Sequence, residues 1–497
     1  MSSASASPAI ASPAKPPETT KGFSIDIWRR RAGIPLTVIV VTVLLLMPTP
    51  AGLTVLGQKA IAVLAGLVVL FLTEPMELPI ASMAVPPAVV LLGITNIKGA
   101  LEGFATPAIF LLVGAVIMSA AMEKTRLAER FTYWLLATIG CSARNITLGI
   151  VVSNIVLAFM VPSTTARTAI LLPMCLSIIA IYRQGDDQTV TRSKFATGLL
   201  LTLAFTNSTI SAGILTASTP NPVTMEYILK ISGKPVTYFQ WLCVGFPPAL
   251  LMTFLTWWYL RRVYKPEREG IPGGVEYMRE QLRKMGTISW AEWRALFVFL
   301  LVVGLWMTGG LTGIDVTVAC LFGLALLFLP WFGVIDWKDI NRNSAFYILM
   351  INGGGLTAGE LLLKTGAAKW LANQVFSGLG LVGASALIVV IVVMVVVQFA
   401  RIGFMGTTPM AVIFMPLIVS LAAAAKLPVA AVALPAGMII AGYPLLMFYN
   451  TLPNILVYGT GFLKMPDFPR VGFLLCVVAI IVYAIFAATY WRWLGLF

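Results

Sequence analysis

The chain contains no histidine in its 497 residues. That removes imidazole metal sites, histidine acid–base catalysis and histidine proton relays together. Cysteine is scarce. Cys141, Cys175, Cys243, Cys320 and Cys476 lie far apart, with no CxxC pair. Neither a disulfide framework nor a thiolate metal cluster fits that spacing. Charge is scarce as well: 11% of residues are Asp, Glu, Lys or Arg, against roughly 25% in soluble domains. Acids are the rarer sign, 20 against 34 basic residues. There is no GxxxxGK[ST] loop, so Asn352-Gly353-Gly354-Gly355 reads as close helix packing rather than a phosphate cradle. Without His or Cys ligands or paired acids, no enzyme is expected.

What is abundant is apolar. Hydrophobic residues make up 59% of the chain, and mean hydropathy is +0.92. The runs are continuous rather than alternating, which excludes a β-barrel and indicates an all-α polytopic membrane protein. The net charge of +14 follows the positive-inside rule, so nucleic acid is not an expected partner and membrane lipid is. The 13 tryptophans and 13 tyrosines read as interface belt and packing residues. The Ser/Ala/Pro-rich start, "MSSASASPAIASPAKPPETTKG", reads as a disordered tail without the apolar core of a secretory signal.

Four apolar segments, 146–182, 195–231, 376–425 and 427–459, are too long for one crossing. Each carries Gly, Pro or hydroxyl residues near its middle. Irregular backbone survives at membrane depth only when it is buried in protein or lines a wet cavity. The four interruptions pair up. "TTARTAILLP" and "TTPMAVIFMP" share the spacing from a Thr pair to a proline, and each is followed by a second break, Thr219-Pro220-Asn221 or Leu452-Pro453-Asn454. Matching interrupted segments in two halves mark the binding site of many secondary transporters.

Basic loops at 27–31, 123–130 and 261–294 fall inside by the charge rule. The expected layout is then about eleven spans in two inverted repeats, with two re-entrant hairpins and two broken helices. By residues, 1–30 form a disordered cytoplasmic tail, 31–57 an extra first helix and 58–262 the first repeat, with hairpin 146–182 and broken helix 195–231. Residues 263–292 form a cytoplasmic linker, and 293–497 the second repeat, with hairpin 376–425 and broken helix 427–459.

Hydroxyls, helix N-termini and freed carbonyls at such tips suit carboxylates and sodium ions. The first tip adds Arg167, an intramembrane arginine and therefore a functional candidate. Its guanidinium would supply fixed positive charge, and Arg401, just before the second tip, would do the same there. Asn207, Ser208 and Thr209 are read as lining the cavity. Glu360 and Lys364, four residues apart, read as a structural ion pair.

Taken in order, "DIWRRRAGIPL", "VGLWMTGGLTGID", "VIDWKDI", "INGGGLTAGELLLKTG" and "LPNILVYGTGFLKMPDF" resemble the divalent anion/sodium symporter family of di- and tricarboxylate carriers. The resemblance runs from about residue 35 to 495. It implies Ser-Asn-Thr at each hairpin tip and a Pro-Pro-Asn-like turn in each broken helix. Ser163 and Thr165 match the first tip, and Thr164 stands where Asn is usual. In the second tip Gly406, Thr407 and Thr408 stand for Ser, Asn and Thr, so only Thr408 matches. Thr219-Pro220-Asn221 and Leu452-Pro453-Asn454 match the turns. "PSTTAR" is similar to the exchanger branch, whereas "VEYMREQLRKMG" is similar to bacterial sodium-coupled carriers.

The resemblance further implies a homodimer, with a scaffold and an elevator-type transport domain. The expected substrate site is Ser163, Thr164, Thr165, Arg167, Thr219, Pro220, Asn221, Gly406, Thr407, Thr408, Pro453 and Asn454. Ser163, Thr164, Asn207, Thr407, Thr408 and Asn450 are the expected sodium ligands. The expected function is transport of succinate-, malate- or fumarate-like acids, or tricarboxylates, across the cytoplasmic (inner) membrane by alternating access. Sodium symport is the expected coupling. Sodium-independent carboxylate exchange using Arg167 is a second, and carriage of sulfate or another inorganic anion is a third reading. No cofactor is expected beyond coupling sodium ions.

Overall fold

The computed structural model describes residues 25–140, 142–183, 193–271, 273–340, 342–378, 380 and 384–496. Most of the expected tail, residues 1–24, lies outside them, as do 379 and 381–383 of the expected second hairpin. Among the described residues the chain is helix and loop, with one isolated β-bridge between Ser142 and Gly270.

Helices α1 (Ile25–Leu46) and α2 (Val55–Thr73) pack against each other. Helix therefore begins inside the range expected for the tail. The Thr54 hydroxyl accepts from Gly57 N and sets the start of α2. Short helices α3 (Leu78–Met83), α4 (Val85–Leu91) and α5 (Ile97–Leu101) follow, then α6 (Pro107–Thr125) and α7 (Leu127–Ile139). Next come α8 (Ala143–Met160), α9 (Thr164–Arg183), α10 (Lys194–Ser211), α11 (Pro220–Ser232), α12 (Tyr238–Val263) and α13 (Gly274–Lys284). The second half runs α14 (Trp290–Thr312), α15 (Val316–Leu327), α16 (Arg342–Lys364), α17 (Ala367–Gly378), α18 (Ala386–Ala400) and α19 (Thr407–Ala424). It continues with α20 (Val429–Gly442), α21 (Leu452–Tyr458), α22 (Asp467–Ala488) and α23 (Tyr490–Trp493).

Among the described residues, ten helices are long and apolar enough to cross a membrane, and four of them are α8, α9, α18 and α19. These four are hairpin arms. Both outer ends of the α8–α9 pair meet one loop: Ser142 bridges Gly270, and the Tyr182 hydroxyl donates to Arg268 O. The other six are single helices, and three shorter apolar stretches, Leu78–Leu91, Val316–Leu327 and Val429–Gly442, stand beside them. This is an all-α, integral, multi-pass membrane protein. Its outer surface carries large apolar side chains such as Leu91 and Leu311.

The two breaks have one local cause each, and it is the same cause. Proline opens the helix after each break, where its missing N–H costs nothing. Asparagine then ties the unwound carbonyls. Asn221 Nδ2 donates to Ser211 O and Ile214 O, ten and seven residues earlier, at 2.8 and 2.9 Å. Asn454 Nδ2 donates to Pro444 O and Met447 O, again ten and seven residues earlier, at 2.7 and 3.1 Å. Buried carbonyls need partners, and each break supplies its own.

The core sits on α10, which is buried from Phe195 to Ser211. Its hydroxyls bond back along the helix, as with Thr206 Oγ1 to Thr202 O and Ser208 Oγ to Ala204 O. Thr209 Oγ1 pairs with Thr253 Oγ1 of α12 at 2.9 Å. At the basic end of the bundle, Arg130 of α7 holds Glu292 at 2.5 Å and the carbonyls of Met285, Gly286 and Thr287. That pins the loop between the two halves.

Candidate functional site

Both hairpin tips and both breaks converge on one cavity of about 950 Å³. The first tip forms because α8 stops at Met160 and Val161 is extended. The Ser163 hydroxyl then accepts from Ala166 N at 3.2 Å and starts α9. The second tip is a 3₁₀ turn, Arg401–Gly403, followed by Gly406 at φ +123°. A side chain is strained at that φ, whereas glycine adopts it freely.

From the tips, Ser163, Thr164, Thr165, Gly406, Thr407 and Thr408 line the cavity. From the breaks come Ala217, Ser218, Thr219, Thr451 and Leu452. The facing wall is Leu112, Val116 and Ser119 of α6, with Ser344, Tyr347 and Ile351 of α16. Arg30, Glu74, Glu77 and Glu123 complete the lining at the basic end. Hydroxyls dominate its polar surface. Helices α11, α19 and α21 begin beside it with no side-chain cap on their first N–H groups. Uncapped helix starts attract anions.

Arg167 and Arg401 do not line the cavity; they sit behind its floor, 0% and 1% exposed. Arg167 donates from Nε to Asn207 Oδ1 at 2.8 Å and from Nη1 to Val161 O at 3.1 Å. Its Nη2 donates to Ser211 Oγ at 2.5 Å and to Ala217 O at 3.3 Å. One guanidinium thus joins the first tip to the first break. Arg401 Nη2 donates to Ile439 O and Ile440 O, at 2.9 and 2.7 Å, where the second break begins.

Other expected residues are also placed behind the floor. Asn207 gives Oδ1 to Arg167, and its Nδ2 donates to Thr164 O and Thr168 Oγ1. Asn450 accepts from Met447 N and donates to Arg401 O and Phe404 O. Neither asparagine faces the cavity, because both side chains are consumed in bracing a tip. Asn221 and Asn454 are 0% exposed and serve the breaks, with Pro220 and Pro453 at the helix starts beside them. Ser208 and Thr209 are turned to carbonyl and hydroxyl partners rather than to the cavity. Conversely, Ser119, Ser218, Ser344, Tyr347 and Thr451 line it. Ser119 and Tyr347 lie in uninterrupted helices, which carry no sequence signal. Ser218 and Thr451 directly precede the recognised turns.

Inverted hairpins and interrupted helices around a hydroxyl-lined cavity define a secondary carrier rather than an enzyme. Residues 29–497 match the family described as the sodium:sulfate symporter transmembrane region, and the chain belongs to that family. It is 30% identical over 489 residues to a membrane protein of Cupriavidus necator, covering 93% of each chain. A sodium-dependent dicarboxylate transporter, SdcS, of Staphylococcus saprophyticus is 27% identical, with 88% of this chain and 87% of that one covered. A citrate/succinate antiporter of Escherichia coli is 25% identical, with 92% and 96% covered. Among solved structures, the Alcanivorax borkumensis YdaH transporter aligns with a TM-score of 0.54 at 13% identity, over 95% of this chain and 98% of that one. That likeness concerns the fold alone. The protein is a membrane transporter whose relatives include carboxylate carriers.

Proposed function

We propose that this protein exchanges small dicarboxylates of succinate or malate size across the cytoplasmic membrane without sodium. Arg167 and Arg401 supply fixed positive charge in place of a mobile cation. The observation that carries this reading is the ligand set of Arg167. A tip carbonyl, a break carbonyl, an asparagine oxygen and a serine hydroxyl all point at one guanidinium. Such an oxygen set is what a sodium ion at a tip–break junction would draw on. Here a side chain already takes it. The charge sits just behind helix starts that favour carboxylates, and the tip hydroxyls donate to them.

The cavity reaches the basic end of the bundle, which the charge rule places in the cytoplasm, so this is the inward-open state. The hairpins and interrupted helices, α8–α11 and α18–α21, move as one body past α1–α6 and α14–α16. Substrate thereby meets one side at a time. Two copies pair through scaffold faces, with lipid around them.

The test is counterflow in proteoliposomes loaded with succinate. Uptake of labelled succinate with potassium as the only alkali cation supports exchange; a strict sodium requirement overturns it. Sodium symport remains the second reading, favoured by the printed name of the Staphylococcus relative. Its ligands would be Ser163, Thr164, Thr407 and Thr408. A sulfate carrier would show thermal stabilisation by sulfate and none by succinate.

A further inference from the structure

At the end of the bundle away from the cavity mouth, charged side chains cross from α11 to α16. Lys230 lies 3.6 Å from Glu226, one turn below it on α11, and 3.2 Å from Glu360 of α16. Glu360 also pairs with Lys364, one turn further along α16, at 3.3 Å. Lys364 in turn holds Glu102. Helices α11 and α16 run the same way. Thr219 and Tyr347, near their starts, both line the cavity, and Lys230 and Glu360, near their ends, meet each other.

Between these charges the contact is smooth. A Cβ at Gly359 would stand 2.0 Å from the Tyr227 hydroxyl of α11, and one at Gly355 would stand 2.5 Å from Val412 Cγ2 of α19. The Tyr227 hydroxyl is buried and has no hydrogen-bond partner. The Tyr227–Gly359 contact is therefore held by packing rather than by a hydrogen bond. The order of charges is acid then base, four residues apart, on both helices. Because Lys230 stands level with Glu360, a rise of α11 along α16 by about eight residues, ~12 Å, carries Lys230 off Glu360 and brings Glu226 level with Lys364; a rise of one turn would set Glu226 against Glu360 and Lys230 against Lys364.

We propose that α16 is a rail with two charge registers. Lys230–Glu360 latches the inward-open state, and Glu226–Lys364 latches the outward-open one. The proposal rests on the moving-body reading above, and it names the contacts by which that motion has two stops. Partly exposed ion pairs are weak, which suits a latch that must release in every cycle.

The test uses cysteine pairs in a background with the five native cysteines replaced, reconstituted and treated with a short bis-methanethiosulfonate reagent. Lys230→Cys with Glu360→Cys reports the first register, and Glu226→Cys with Lys364→Cys the second. Both pairs should cross-link, each should stop counterflow, and reductant should restore it. Counterflow that proceeds while the second pair never cross-links overturns the rail. Cross-linking of both pairs in a protein that exchanges no dicarboxylate would uphold the rail and sink the substrate reading instead. Glu360→Gln, added to the Glu226→Cys/Lys364→Cys protein, removes the first latch and should raise the rate of the second cross-link about fivefold. An unchanged rate counts against the latch.

Discussion

Replacing Arg167 tests the fixed-charge reading at its centre. Arg167→Lys keeps the charge but loses the fork. The guanidinium serves four acceptors, spread over the tip, the break and two side chains of α10, at 2.5 to 3.3 Å. An ammonium on a single point reaches about two of them. Each lost charged hydrogen bond costs about 1.5 kcal/mol, so the docked tip weakens by about 3 kcal/mol. That corresponds to a drop of about 100-fold in succinate counterflow, since 1.4 kcal/mol is about tenfold. Arg167→Ser goes further: it removes the cation and leaves the same oxygens around an empty space. Sodium then has a place to bind. The serine variant should be inactive in potassium, partly active in sodium, and thermally stabilised by sodium alone. The assay is counterflow in matched potassium and sodium buffers, with unfolding temperature read in parallel. Full exchange by Arg167→Lys, or a serine variant blind to sodium, refutes the reasoning.

Two further outcomes are expected. Asn454→Ala frees the buried carbonyls of Pro444 and Met447; at about 1–3 kcal/mol for each unsatisfied group, unfolding temperature and exchange should both fall, and Asn221→Ala should match it at the other break. The loop carboxyl of Glu267 is pushed up by burial, but hydrogen bonds from its own backbone N–H and then from Lys194 N and Phe195 N outweigh this and hold it below the ordinary 4.5. A depressed acid adds stability that is complete above the unfolded value and is lost as pH falls through the folded one. Melting curves of the purified protein should therefore steepen in their pH dependence below pH 4.5, and Glu267→Gln should flatten that stretch.

The interrupted elements were legible because backbone irregularity in a membrane needs unusual residues, and Pro, Gly and hydroxyls are visible in a greasy chain. The tip hydroxyls could be read for the same reason. The direction of a side chain on a helix buried all round could not. Periodicity has no contrast along α10, so Asn207, Ser208 and Thr209 read as cavity residues, although Asn207 serves Arg167 and the other two turn to carbonyls or Thr253. Pairings between distant segments were invisible as well. Glu360 and Lys364 could be matched because they are four apart, and they do pair at 3.3 Å. Lys230 and Glu102, which extend the ladder, lie more than a hundred residues away from them. Arg167 looked unpaired for a related reason: no acid is near it in sequence, and its partners are neutral oxygens that only the folded tip and break assemble.

The stitched breaks bear on how such a chain is made. Asn221 draws its partners from Ser211 and Ile214, and Arg167 draws its own from residues 161 to 217. Asn454 and Arg401 likewise use only groups between 439 and 447. Each half therefore draws these tip and break hydrogen bonds from oxygens it already carries. A nascent chain can take its first broken helix into the bilayer before the ribosome has reached the second. Order of synthesis and order of membrane entry need not conflict, even though the finished cavity is shared between the two halves.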